Sequence, residues 1–189
     1  VDELVVVIRE ADRRAVESAL EAHRGAIRAL VEGGAERTDS VRAGVEAASD
    51  DVDVILVHDA ARCFVEPDHV EAVARAAYEH GSALLATRVS DTLKFVPNGF
   101  LSEESMDRDQ YWAVQTPQGM RAARFHDVLA RAERDGFRTT DDAALHEHYH
   151  GPSRVVEGSR NNLKVTTPDD LLLGAALATL VDRPGGSKS

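Results

Sequence analysis

Val54-Ile55-Leu56-Val57-His58-Asp59-Ala60-Ala61-Arg62 is the stretch whose reading decides the fold. Val54–Val57 is an uninterrupted apolar run, suited to a strand buried on both faces of a parallel sheet. Polar residues begin where that strand ends, and in open α/β sheets the carboxyl ends of strands form the ligand crevice. A carboxylate at Asp59 can hold a magnesium ion or a substrate hydroxyl. An arginine three residues on, Arg62, can clamp a phosphate bidentately, and two alanines let a ligand approach the backbone. The same spacing also reads as an aspartate helix cap with an incidental arginine.

The flanking segments alternate between strand and helix patterns. Upstream, Leu4–Ile8 reads as a buried strand, and Asp12 caps a helix to about His23 with a stripe of Val16, Ala19 and Leu20. Ile27–Val31 is a second strand, broken by Gly33-Gly34. Thr38, Asp39 or Ser40 caps a helix through Val41, Val45 and Ala48. Downstream, Pro67 opens a helix to about Glu79, and Ser82–Val89 is a strand. This βαβαβαβ order predicts an α/β fold, a Rossmann-like, mostly parallel mixed sheet with helices on both faces.

The pattern then changes. Residues 91–114 hold the turn signal Pro97-Asn98-Gly99 between β-prone stretches and read as a projecting hairpin or arm. Helices follow at about Arg124–Asp135 and Asp141–Tyr149, short strands at Arg154–Val156 and Leu163–Val165, and a helix at Pro168–Leu180. That last helix carries an apolar face of Leu171, Leu172, Ala175, Ala176 and Leu180. Residues 1–181 are expected as one domain and 182–189, rich in Gly and Ser, as a disordered tail.

Composition bounds the function. The 189 residues carry 33 Asp+Glu against 22 Lys+Arg, a net charge of −11, which argues against a general nucleic-acid surface. An acidic chain can still bind a nucleotide if its cations are concentrated in one site. Only Lys94, Lys164 and Lys188 are lysines, so each position is informative. Cys63 is the single cysteine, which excludes a disulfide framework and a multi-cysteine zinc site. No run approaches the roughly 18 apolar residues of a membrane helix, and no secretory signal is visible, so the expected location is cytoplasmic. The chain opens on Val1 inside a strand-like run, which suggests a missing upstream segment, with a natural short start or an arbitrary boundary as the alternative.

Four further stretches carry candidate chemistry. Gly33-Gly34-Ala35-Glu36-Arg37-Thr38-Asp39-Ser40 joins a strand to a helix, as an anion-binding loop or an ordinary turn. Asp91-Thr92-Leu93-Lys94 and Asp107-Arg108 lie on the arm, with Gln115-Thr116-Pro117-Gln118 beyond it; these complete a neighbouring subunit's site or are a solvated hairpin. His146-Glu147-His148-Tyr149-His150 matches the helical zinc-hydrolase pattern, against which Gly151-Pro152 ends the helix at once; the alternative is an exposed polar helix end. Lys164 lies in a β-prone stretch and can reach phosphates of a ligand lying across the sheet, before a helix capped by Thr166 or Thr167.

Together these segments resemble the 2-C-methyl-D-erythritol 4-phosphate cytidylyltransferase family of the non-mevalonate isoprenoid pathway. The matching stretches are Gly33-Gly34…Arg37…Asp39-Ser40-Val41, Val57–Arg62, Asp91–Lys94, Gln115–Gln118, Thr140-Asp141-Asp142-Ala143 and Val156-Glu157-Gly158…Asn162-Leu163-Lys164-Val165-Thr166. They occur in the family's order from Val1 to Leu180. The resemblance implies a magnesium-dependent transfer from CTP to a polyol phosphate, with pyrophosphate released. It implies nucleotide contacts at Gly34, Ala35, Ser40, Ala60 and Lys164, and substrate contacts at Asp59, Arg62, Thr92, Arg108 and Thr116. Arg108 and Lys164 are the implied catalytic residues, Asp59 an implied magnesium ligand, and a homodimer joined through the arm the implied assembly.

The departures from the family are specific. Nothing here matches its opening Ala-Ala-Gly-x-Gly-x-Arg loop and following lysine, so reduced activity is expected of these 189 residues alone. Cys63 replaces a usual proline, Ala35 a common acidic residue, and Arg88 a frequent proline. The alternatives are a ribitol 5-phosphate cytidylyltransferase, a catalytically impaired dimerising remnant, or a zinc hydrolase using His146 and His150.

Overall fold

A computed structural model describes residues 1–101, 106–139 and 141–181, and of Val181 the backbone only. Six strands and six α-helices follow one another: β1 (Leu4–Ile8), α1 (Arg13–Leu20), β2 (Ile27–Glu32), α2 (Arg37–Glu46), β3 (Val54–Val57), α3 (Pro67–His80), β4 (Ser82–Arg88), β5 (Trp112–Arg121), α4 (Ala122–Asp135), α5 (Asp142–His150), β6 (Arg154–Glu157) and α6 (Pro168–Val181). β1 and β2 form a parallel pair, and the other strands form a sheet of order β3-β5-β4-β6. β4 and β6 are parallel, while β5 runs antiparallel to both β3 and β4. Strands β3, β4 and β6 therefore point one way and β5 alone opposes them.

Period-2 alternation sorts the core onto two faces. Ala83 and Leu85 pack with Val73 and Ala77 of α3 on one side. Leu84 and Ala86 pack with Ala143 of α5 on the other. A larger cluster on that second side joins Val41 and Val45 of α2, Met120, Phe125, Val128 and Leu129 of α4, and Leu145 of α5. Phe125 is fully buried there. Gly81 turns α3 into β4 at φ 94°, a left-handed conformation that a side chain would strain.

The structure corrects several local expectations. α1 ends at Leu20, and Asp12 spends its carboxylate on Arg9 rather than on the helix backbone. The start of α2 lies before Thr38: Glu36 is its N-cap residue, with the Asp39 carboxylate accepting the Glu36 N–H at 3.2 Å. From Asp91 to Tyr111 the described residues form no hairpin ladder, but an isolated bridge at Lys94 and short 3-10 turns at Pro97–Gly99 and Arg108–Gln110. Trp112–Val114, counted with the arm, begin β5, and Gln115–Gln118 are its interior. A proline within the strand hides that pattern. Leu163–Val165 is irregular rather than a strand, because its backbone is bonded to loops and not to a neighbouring ladder. The α6 face expected to be buried is turned outward, with Leu171 63% and Leu172 72% exposed. The tail 182–189 and Thr140 lie outside the described residues.

Candidate active site

β3 ends at Val57, and His58 and Asp59 emerge at its carboxyl end. Thr116, inside β5, holds this corner. Its hydroxyl accepts the Asp59 N–H at 3.0 Å and lies 3.0 Å from His58 Nδ1. His58 Nε2 is 3.1 Å from the Arg62 carbonyl, which can only accept. With one ring proton, that proton sits on Nε2 facing the carbonyl, and the Thr116 hydroxyl then donates to Nδ1. That leaves Thr116 one free lone pair and no free donor, so it can receive a substrate hydroxyl but not a phosphate oxygen.

Arg62 and Lys164 converge on Asp59. Lys164 Nζ is 3.0 Å from Asp59 Oδ2, and Arg62 Nε is 3.6 Å from it. Burial pushes the Asp59 carboxyl up, but its bond to Lys164 and the nearby charges of Lys164, Arg62 and Arg37 outweigh that and hold it below the ordinary value. Asp59 is therefore ionised near neutrality and fixes both cations in place. These groups line a crevice of about 260 Å³ with Arg37, Gln118 and Asp141. Three cations in one crevice are the concentration an acidic chain needs to hold a phosphate.

Arg37 is the link to the β1–β2 unit. It opens α2 and bonds both oxygens of Asp142, the first residue of α5, at 2.9 and 2.7 Å. Asp142 is buried, and its backbone N–H and that of Ala143 are received by Gln118 Oε1 at 2.9 and 3.0 Å. Burial raises the Asp142 carboxyl and the Arg37 guanidinium pulls it back. Before Arg37 the chain is folded tightly: Gly34 N–H donates to Ser40 Oγ at 3.1 Å, and Ser40 donates to the Glu36 carbonyl at 3.2 Å. A Cβ on Gly34 would come 2.3 Å from Asp39 Cβ, so only glycine lets α2 start this close.

The structure brings Asp59, Arg62, Thr116 and Lys164 together, with Ala60 beside Asp59. Gly34, Ala35 and Ser40 sit at the α2 start that delivers Arg37. Thr92 and Arg108 do not join the crevice within one chain. Arg108 is 55% exposed and donates to the Ser90 carbonyl at 3.0 Å, and Thr92 is exposed. The sequence reading assigned no role to Arg37, Asp142, Gln118, Gln115 or Asn162. All five stood in quoted stretches, but their partners lie far along the chain.

The zinc reading fails on geometry. His146 is buried, with Nδ1 3.0 Å from the Gly151 carbonyl and Nε2 3.0 Å from Arg124. Both nitrogens are occupied, and His150 instead reaches Asp127 at 2.9 Å. Among the described residues no three His, Cys, Asp or Glu side chains converge as a metal site. Asp59, the expected magnesium ligand, already faces two cations, Lys164 and Arg62.

A mixed α/β fold with a cation-lined crevice at the carboxyl end of β3 is that of a Rossmann-like nucleotidyltransferase. The family model described as 2-C-methyl-D-erythritol 4-phosphate cytidylyltransferase matches residues 1–180. The chain belongs to that family. A relative of the same name from Bacillus pumilus is 42% identical over 176 residues, covering 92% of this chain and 76% of that protein. Another from Synechococcus is 38% identical over 177 residues, covering 94% and 79%. The crystal structure of the enzyme of that name from Thermus thermophilus is similar at TM-score 0.78 and 33% identity, over 95% of this chain and all of that one. The 4-diphosphocytidyl-2C-methyl-D-erythritol synthase of Anaerococcus prevotii is similar at TM-score 0.86 and 27% identity, over 95% and 79%.

Proposed function

We propose that the protein joins CTP and 2-C-methyl-D-erythritol 4-phosphate, giving 4-diphosphocytidyl-2-C-methyl-D-erythritol and pyrophosphate. The observation that carries this is the Arg62–Asp59–Lys164 cluster, set at a strand's carboxyl end opposite the Gly34–Ser40 loop. An oxygen of the sugar phosphate attacks the α-phosphorus of CTP, the bond to the β-phosphate oxygen breaks, and pyrophosphate leaves. Such transfers are driven by positioning and charge stabilisation. Arg62 and Lys164 hold the attacking phosphate, and Asp59 receives a polyol hydroxyl while fixing both cations. Gly34, Ala35 and Ser40 meet the cytosine side, and Ala60 lies against the ribose.

Asp59 is the crevice carboxylate that would hold a magnesium ion, and such an ion would neutralise charge on the triphosphate. The exposed Thr92 and Arg108 reach the sugar phosphate from a second copy, in a homodimer joined through the arm. Both substrates are charged metabolites that do not cross membranes unaided, which supports a cytoplasmic location. Among the described residues no helix is long and apolar enough to span a membrane.

Pyrophosphate release by the protein as its gene encodes it tests this, with CTP and either methylerythritol phosphate or ribitol 5-phosphate. Turnover with the first is expected. Efficient use of ribitol phosphate alone would overturn the substrate assignment, and no CTP-dependent release would overturn the activity.

A further inference from the structure

Lys164 sits on a segment between β6 and α6 that has neither strand nor helix. No ladder places it, yet its Nζ stands 3.0 Å from Asp59. The segment is tied down by individual bonds. Gln115 Nε2 donates to the Ser159 carbonyl at 3.1 Å, and Val165 N–H donates to the Ala61 carbonyl at 2.8 Å. Gly158 N–H donates to the Ala86 carbonyl at 2.8 Å, and a further set of ties meets at Asn162. Its Nδ2 donates to the Thr116 carbonyl at 2.9 Å and to Gln115 Oε1 at 3.2 Å. Its own carbonyl receives Arg62 Nη1 at 2.9 Å. Asn162 has no exposed surface.

The sheet explains why an amide is needed. β5 has three residues, 115–117, where β4 has only Leu85, because the register shifts between Leu84 and Ala86. The Thr116 carbonyl, in that bulge, takes its bond from Asn162. A buried carbonyl left without a donor is costly, so the site demands a donor at this point. An aspartate would set oxygen against two oxygens, and an alanine would supply nothing.

We infer that Asn162 is a positioning residue for the transfer reaction. Its buried amide sets the spacing of Arg62, Lys164 and the Thr116 corner, and so the seat of the attacking phosphate. The inference rests on the proposed reaction for its kinetic consequence, but the placement itself can be read without substrate.

Two variants test it, Asn162→Asp and the milder Asn162→Ser. A displacement of about 1 Å at a reacting group can cost on the order of 100-fold, so kcat/KM for the sugar phosphate should fall by about that factor in Asn162→Asp. KM for CTP should stay within about twofold, because the Gly34–Ser40 loop makes no bond to Asn162. Hydrogen exchange at the Val165 amide should quicken in both variants, while amides of α4 keep their protection. Equal losses toward both substrates, or a Val165 amide protected as in the parent, would overturn the inference. A parent protein without turnover would overturn the proposed function instead, and the Val165 amide would then decide the inference alone.

Discussion

The crevice and the arm carry charge in opposite ways. In the crevice every cation is tied: Arg37 to Asp142, Lys164 to Asp59, Arg62 to the Asn162 carbonyl. On the arm, Arg108 stands 55% exposed amid Phe95, Phe100, Leu101 and Tyr111, all of them exposed. A preorganised charge is ready to stabilise a reacting phosphate without further reorganisation. Arg108, bonded to the Ser90 carbonyl but more than half exposed, keeps donors that face solvent. The difference fits a crevice that supports itself and the proposal that the arm works on the crevice of a second copy.

Lys164→Ala should show the largest effect. Losing one preorganised cation is expected to cost about 10²–10³-fold in kcat, by analogy with a single oxyanion donor. Steady-state pyrophosphate release measures it, and a loss below tenfold would break the claim that crevice cations matter most. Arg108→Ala should raise KM for the sugar phosphate more than KM for CTP.

The comparison sharpens when these two variants are mixed. If the arm of one copy serves the crevice of the other, a dimer of Lys164→Ala and Arg108→Ala chains contains one intact site and one doubly damaged site. Random exchange of subunits should then restore about a quarter of parental turnover. Mixtures no more active than their components would show that the arm serves its own chain.

A smaller effect is expected at the Arg37–Asp142 bond. Arg37 is about a third exposed, so solvent screens it, and the coupling in a double-mutant cycle of Arg37→Gln and Asp142→Asn should be about 2 kcal/mol in unfolding free energy. The same cycle should raise KM for CTP, since the bond anchors the start of α2. Additive effects of the two substitutions would show that the pair does not act as a unit.

How far the sequence was legible follows from the distance over which each feature acts. The apolar run Val54–Val57 and the residues after it could be read locally, because a strand and its carboxyl end are neighbours in the chain. Asp59 and Arg62 stood out as polar residues just past a strand-like run and Lys164 as a rare lysine inside a β-prone stretch, and the family resemblance supplied their roles. β5 could not be read, since Gln115, Pro117 and Gln118 look like a loop until the partners β3 and β4 enclose them. Asn162 and Arg37 were equally silent: one bonds Thr116, 46 residues away, and the other Asp142, 105 residues away. Leu171 and Leu172 gave the helix but not its orientation, because an all-round apolar helix has no pattern that picks its buried side.

The smallest effect concerns the far end of the Lys164 segment. Asp170 receives the Thr166 N–H at 2.9 Å, the Thr166 hydroxyl at 3.0 Å and the Thr167 N–H at 2.8 Å, while its own N–H donates to Thr167 Oγ1 at 3.2 Å. This reciprocal cap fixes where α6 begins and therefore where the segment ends. The bond from the Thr166 backbone, followed by those from Thr167 and the Thr166 hydroxyl, lowers the Asp170 carboxyl from its ordinary 3.8 to about 2. A carboxylate lowered on folding adds stability above its unfolded value and loses it as the pH falls through its folded one. The parent should therefore outlast Asp170→Asn in urea at pH 6, and the gap should close between about pH 4 and pH 2. Because the Asp170 carboxylate bonds Thr166 and Thr167 rather than a crevice residue, crevice chemistry should scarcely change: kcat of Asp170→Asn should match the parent, with the Val165 amide exchanging only slightly faster. A gap in urea that persisted unchanged at pH 2 would mean that the carboxylate charge is not what holds the cap, and that the crevice's outer support is neutral like the amide of Asn162.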